Sequence, residues 1–218
     1  MDYHSHLSKD KKLKRIIEEQ ELVKLTRRKK IHIYLCGSIM SQQLSTKVAA
    51  IIHKRFLDLY GGEPTAEQIL DTPYETLRGI GLSGAKANYV QNVARFAIEN
   101  GMSYEMLGLM TNEDAIKYLT QIKGVGRWTV EMLLMFALGR EDVFALDDLG
   151  IQQAMEKIYK LDKSDKKAFR EEMIRISEKW SPYRSFACLH LWQWKDNGRK
   201  KEAVPKKKKA TRKKSVRT

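Results

Sequence analysis

The chain has 218 residues and a mass of 25.3 kDa, with 42% hydrophobic and 31% charged residues. That is enough to bury the core of one globular domain or two joined lobes, and too much for a small peptide scaffold. No apolar run approaches the roughly 18 residues of a membrane span. The two cysteines, Cys36 and Cys188, exclude a multi-disulfide scaffold or a four-cysteine metal site built from this chain, which fits a reducing compartment. The formal charge of +14 is unevenly placed: residues 199–218 hold 11 Lys and Arg against one acid, and the other 198 residues hold 30 against 26.

In chain order, the opening MDYHSHLSKDKKLKR lacks the apolar centre of a secretory signal. Residues 31–35 (IHIYL) alternate like a strand, a single short alternation that carries little weight. Residues 46–60 place Val48, Ile51, Ile52, Phe56 and Leu59 in one helical stripe, stopped by Gly61 and Gly62. Thr65 with Gln68, and Thr72 with Glu75, match capping boxes, the second with Pro73 at the first helical position. Residues 83–99 form a longer amphipathic stretch ended by Asn100 and Gly101. Val130, Leu133, Leu134, Ala137 and Leu138 have little polar relief between them, so this helix belongs at the centre. Residues 149–159 and 164–180 are helical in pattern, and Ser181 and Pro182 precede a last helix through Trp194. The chain reads as all-α, with a core over residues 1–198. Residues 199–218 have too few apolar side chains to fold alone and read as a disordered arm for a polyanion, nucleic acid foremost; the plainer alternative is a solubilising tail.

The segment Gln121-Ile-Lys-Gly-Val-Gly-Arg-Trp-Thr-Val130 sets two glycines immediately before the central helix. Glycine permits a tight turn and lets a phosphate approach backbone amides, and the helix N-terminus behind it adds unpaired donors and a positive dipole end. Ile122 and the apolar helix sharpen the likeness to a helix–hairpin–helix element, which holds the DNA backbone without reading sequence. Residues 77–86, Leu-Arg-Gly-Ile-Gly-Leu-Ser-Gly-Ala-Lys, are a looser copy. Histidines 4, 6, 32, 53 and 190 lack zinc-ligand spacing with cysteines, and there is no Walker A or dinucleotide fingerprint.

Five ordered motifs over residues 38 to 194 resemble the helix–hairpin–helix superfamily of DNA glycosylases, in particular the alkylpurine branch typified by 3-methyladenine DNA glycosylase II. They are Ser-Gln-Gln-Leu-Ser at 41–45, the Gly-Leu-Ser turn at 81–87, the hairpin with Trp-Thr at 123–129, Asp147–Asp148, and the closing Trp-Ser-Pro-Tyr-Arg-Ser…His-Leu-Trp of 180–192. The resemblance implies a two-lobed helical bundle with the hairpin and the aspartate at the cleft. It also implies a monofunctional enzyme acting in base excision repair, which hydrolyses the N-glycosidic bond of a flipped-out 3-methyladenine or 7-methylguanine. Family register assigns catalysis to Asp148, whose fixed anion would stabilise an oxocarbenium-like sugar, and leaves Asp147 as cap or support, aspartate being a good N-cap. Trp128 stands where bifunctional members carry a Schiff-base lysine, and an indole cannot be that nucleophile.

The resemblance makes Trp128 and Trp192 walls of a base pocket, with Met132 where the family often has tyrosine. Trp180 and Trp194 read as core, His190 as a packed residue beside the pocket, and Ser41 and Ser45 as caps. Gln42 or, by closer register, Gln43 would fill the gap left by the everted nucleotide. Lys123, Gly124, Val125, Gly126 and Thr129 would hold DNA phosphate, with a monovalent Na+ or K+ at the hairpin carbonyls and no organic cofactor. The partner is double-stranded DNA bearing damaged bases, bound by a monomer in the cytoplasm (nucleoid) or the nucleus. The family's larger β-rich N-terminal domain is expected to be missing, because only about 37 residues precede the recognised region. Two alternatives stay open: a non-catalytic helix–hairpin–helix DNA-binding module, and a glycosylase for oxidised or deaminated bases.

Overall fold

A computed structural model describes residues 2–203, with side chains through residue 197. Short polar side chains start most helices, because the first amides of a helix have no internal acceptor. Ser45 opens α4 (Thr46–Tyr60) by accepting from the Val48 amide, and Thr65 with Gln68 closes a reciprocal capping box on α5 (Ala66–Asp71). Ser83 opens α7 (Gly84–Asn100) in the same way, and Thr111 opens α9 (Asn112–Leu119). The remaining helices are α1 (Tyr3–Leu7), α2 (Lys11–Ile17), α3 (Ile31–Ser41), α6 (Tyr74–Gly79), α8 (Tyr104–Gly108), α10 (Arg127–Phe136), α11 (Leu149–Tyr159), α12 (Lys166–Glu178) and α13 (Arg184–Ala203). No strand occurs among the described residues, and no helix there is long and apolar enough to cross a membrane.

Two groups of helices pack around one continuous apolar core. In the first, α7 lies against α3, α5 and α6, while α3 also touches α4 and α10, and α10 packs on α9. In the second, α11 packs on α13, and α13 covers α2, which holds α1. The chain's first helices therefore share a lobe with its last. Gln20 secures that junction with both amide atoms, its Nε2 donating to the His190 carbonyl and its Oε1 meeting His190 Nδ1 at 2.7 Å. Residues 21–30 cross back to the first lobe over the end of α10, where the Arg28 amide donates to the Ala137 carbonyl and Thr26 Oγ1 to that of Phe136.

Several expectations need correction. Residues 31–35 are helix, not strand: Ile31, Ile33, Leu35, Cys36, Ile39 and Met40 are all buried, so the apparent alternation belongs to a helix apolar on every side. The buried row of α4 is Ala49, Ile52 and Phe56; Val48, Ile51 and Leu59 of the expected stripe are exposed. Thr72 opens no helix, since its hydroxyl donates to the Gln68 carbonyl and meets Tyr60 Oη; Pro73 is the N-cap of α6, not its first residue, and makes no side-chain bond. Ser41 is no cap either: it ends α3 and donates to the Gly37 carbonyl. Residues 199–203, placed in the arm, continue α13, and residues 204–218 lie outside the described residues.

Candidate active site

The glycine turn between α9 and α10 is shaped by close packing. Gly124 has φ 105°, and a Cβ there would fall 2.3 Å from Tyr89 Cγ, so only glycine lets this turn settle on α7. Gly126 caps α10 with no side-chain bond, which leaves the first amides of α10 free of a protein cap, as an anion site requires. Val125 and Thr129 are buried and support the turn. The carbonyls of Ile122, Lys123 and Gly126 accept from the Val125 amide, Asn92 Nδ2 and the Val130 amide. Each carbonyl keeps a second lone pair, so the turn offers neutral oxygen donors, the ligand type that suits a hard cation.

Asp148 is the N-cap of α11 and does more than cap. Its Oδ1 accepts from the Ile151 amide at 2.8 Å and from Trp192 Nε1 at 2.8 Å, while Oδ2 accepts from Trp128 Nε1 at 2.9 Å. The two indoles come from different lobes, Trp128 from the first turn of α10 and Trp192 from α13. Three N–H donors fix the carboxylate in a half-buried position, with only one of them on Oδ2. Asp147, expected as cap or support, instead points away and pairs with Arg170 of α12. Gly150 makes the arrangement possible: a Cβ there would lie 2.9 Å from Asp148 Oδ1 and 3.2 Å from Trp192 Nε1.

Trp128 is 41% exposed and borders a cleft of about 1030 Å³ between α10, α3 and the turn after α3. Tyr34, Gly37 and Ser38 line it, as do Arg28, Lys29, Lys30, Gln42 and Gln43, and Lys30 is paired there with Glu63. Gln43 adopts a left-handed backbone (φ 58°), rare for a side-chain-bearing residue and typical of functional turns. Lys86 of the second glycine turn clamps this loop, its Nζ donating to the carbonyls of Met40 (3.0 Å) and Gln42 (2.7 Å). Of the expected pocket walls, Trp128 lines the cleft, Trp192 sits behind it on Asp148, and Met132 is buried and does not line it. The phenol there comes from Tyr34, which sequence reasoning missed; its hydroxyl donates to the Met132 carbonyl, and burial pushes its pKa up to about 12, so it stays neutral. Trp180 is fully buried, and His190 packs buried against Gln20 and Tyr3.

Comparison with known proteins places this geometry among DNA repair enzymes. Residues 36–181 match the family described as HhH-GPD superfamily base excision DNA repair protein. DNA-3-methyladenine glycosylase 1 of Schizosaccharomyces pombe is 38% identical over 162 residues, 73% of this chain and 70% of that protein. The solved structure of that organism's 3-methyladenine DNA glycosylase Mag1 in complex with abasic DNA superposes with a TM-score of 0.77 at 34% identity, covering 88% of this chain and 96% of the other. A DNA-3-methyladenine glycosidase from Bacillus halodurans gives a TM-score of 0.79 at 32% identity, with 89% of each chain covered.

Proposed function

This chain belongs to the HhH-GPD superfamily of base excision DNA repair proteins, and we propose that within it the protein is a monofunctional DNA glycosylase that releases alkylated purines, 3-methyladenine and 7-methylguanine, from double-stranded DNA. The observation that carries the reading is the carboxylate of Asp148, held by a helix amide and two indole N–H groups, one of them from Trp128, which lines a cleft of about 1030 Å³. The names of its relatives support the same substrate class.

On this reading the unpaired amides of α10 grip a phosphate next to the lesion, and Arg28 and Lys29 at the cleft attract the flanking backbone. The damaged nucleotide turns out of the duplex, and Gln43, presented by its left-handed backbone, takes the vacated space, with Gln42 behind it. The everted base enters between Trp128 and Tyr34. Its positive charge favours the indole face by about 0.5–2 kcal/mol. As the N-glycosidic bond lengthens, the electron pair leaves with the base and positive charge builds on the sugar, where the Asp148 carboxylate stabilises it. Water then attacks the sugar carbon, and Asp148 can take up the proton. Trp128 at the Schiff-base position leaves no amine to attack, so the product is an abasic site in an unbroken strand. A Na+ or K+ on the hairpin carbonyls would add positive charge toward the phosphate. The protein acts as a monomer, in nucleoid or nucleus.

The test is base release from duplexes carrying 3-methyladenine, 7-methylguanine, 8-oxoguanine or uracil. The first two are released by the wild type, and Asp148→Asn, which keeps the helix cap, abolishes release while retaining DNA binding. Release of only oxidised or deaminated bases, or undiminished release by the variant, would overturn the reading.

A further inference from the structure

Glu131 lies on the central helix α10, one turn beyond Arg127, and its side chain is 3% exposed. Its Oε1 accepts from Arg127 Nε at 3.0 Å, while its Oε2 is buried with no donor from the protein. Buried acceptors left without a donor are rare in native proteins and call for a reason beyond packing. Arg127 is committed twice, since its two terminal nitrogens also grip the Glu113 carboxylate at the start of α9. This arginine opens α10 beside a DNA-binding turn and, although half-exposed, is held by carboxylates of both hairpin helices as a strut between them. Trp128, the next residue, carries the indole bonded to Asp148 Oδ2.

We propose that Glu131 is a positioning residue for the glycosylase reaction: through Arg127 it fixes the first turn of the hairpin's second helix, and so sets where the Trp128 indole meets the Asp148 carboxylate. The proposal rests on the glycosylase reading for its effect on rate, but its structural half stands independently. The groups facing Glu131 are Arg127 on its own helix, Glu113 on α9, Asp147 on the loop before α11, and the Cys188 thiol of α13. Burial, opposed by Arg127 and reinforced by the charges of Asp147 and Glu113, pushes the Glu131 carboxyl up to about 7. As pH falls through that value Glu131 takes up a proton, Arg127 loses one of its two anions, and the turn that carries Trp128 loosens.

The experiment follows the Trp128 and Trp192 indole N–H resonances of the full chain between pH 5.5 and 8.5, assigned with Trp128→Phe and Trp192→Phe. In the wild type the Trp128 signal moves with a midpoint near 7; in Glu131→Gln it is fixed at its low-pH position. His53 also lines the cleft, so His53→Gln is run beside it and keeps the wild-type midpoint. Should Glu131→Gln fail to fold, Glu131→Asp is read instead and displaces the midpoint. In parallel, single-turnover base release by Glu131→Gln falls between about tenfold and a hundredfold and no longer changes near pH 7, with abasic-duplex affinity retained. A Trp128 signal that ignores pH, or a midpoint that survives in the Glu131 variants, overturns the proposal. A wild type that releases no base defeats the glycosylase reading and leaves the indole titration to decide the role of Glu131.

Discussion

Replacing Gly150 by alanine removes no functional group, yet it should damage the site. Gly150 lies in the first turn of α11, where alanine is ordinarily the better residue by about 0.5–1 kcal/mol. Here the added methyl would stand 2.9 Å from Asp148 Oδ1, 3.1 Å from Trp192 Cδ1 and 3.2 Å from Trp192 Nε1, wedged into the bond between them. Losing a hydrogen bond to a charged acceptor costs about 1.5–3 kcal/mol. Net of propensity, the variant should be less stable by about 1–2 kcal/mol, a melting temperature lower by roughly 2–8 °C for a chain of this size. Because the carboxylate must move by a few tenths of an ångström or give up Trp192, base release should fall about tenfold to a hundredfold. Single-turnover release from a 3-methyladenine duplex and calorimetric melting measure the two effects. Gly79→Ala is the control, since a Cβ at Gly79 meets nothing within 4 Å. A Gly150→Ala protein with wild-type release and a raised melting temperature would refute the claim that Trp192 orients Asp148.

Gly124→Ala forces a Cβ against the Tyr89 ring at a backbone angle that disfavours side chains, so it should cost about 1–3 kcal/mol of stability and weaken binding to undamaged duplex as much as to damaged, read by titration with labelled DNA. Residues 204–218 carry eight Lys and Arg and no acid. Removing them should lower DNA affinity and flatten the plot of log affinity against log salt by about 0.9 for each phosphate that is no longer neutralised; an unchanged slope would show that this segment does not touch DNA.

What the sequence made visible was local chemistry. The α11 limits follow from periodicity behind an aspartate pair, the α5 capping box from Thr65 and Gln68, and the hairpin from two glycines ahead of an unbroken apolar stripe. The failures come from contacts between distant positions. Nothing local distinguishes the alternation of residues 31–35 from a strand until α4, α7 and α10 close around them. Which of Asp147 and Asp148 caps α11 is visible only in the structure, where Asp148 accepts from the Ile151 amide and Asp147 pairs with Arg170 of α12. Tyr34 reaches the cleft from a helix nearly a hundred residues before Met132, and Gly150 reads as a poor helix residue until Trp192 is seen against it. Glu131 looks like one more solvated charge on a helix, because its burial depends on α9, α13 and the loop before α11 together.

The lobe that joins the chain's two ends has a consequence for how the enzyme is born. Trp192 is 44 residues beyond Asp148, an interval of about 2–9 seconds of translation at ~5–20 residues per second. During that interval the hairpin half can already assemble on the ribosome, while α1 and α2 wait for α13. The carboxylate's second indole bond, and the Gln20–His190 contact that ties the chain's first helices to its last, therefore form only once the closing helix has been made.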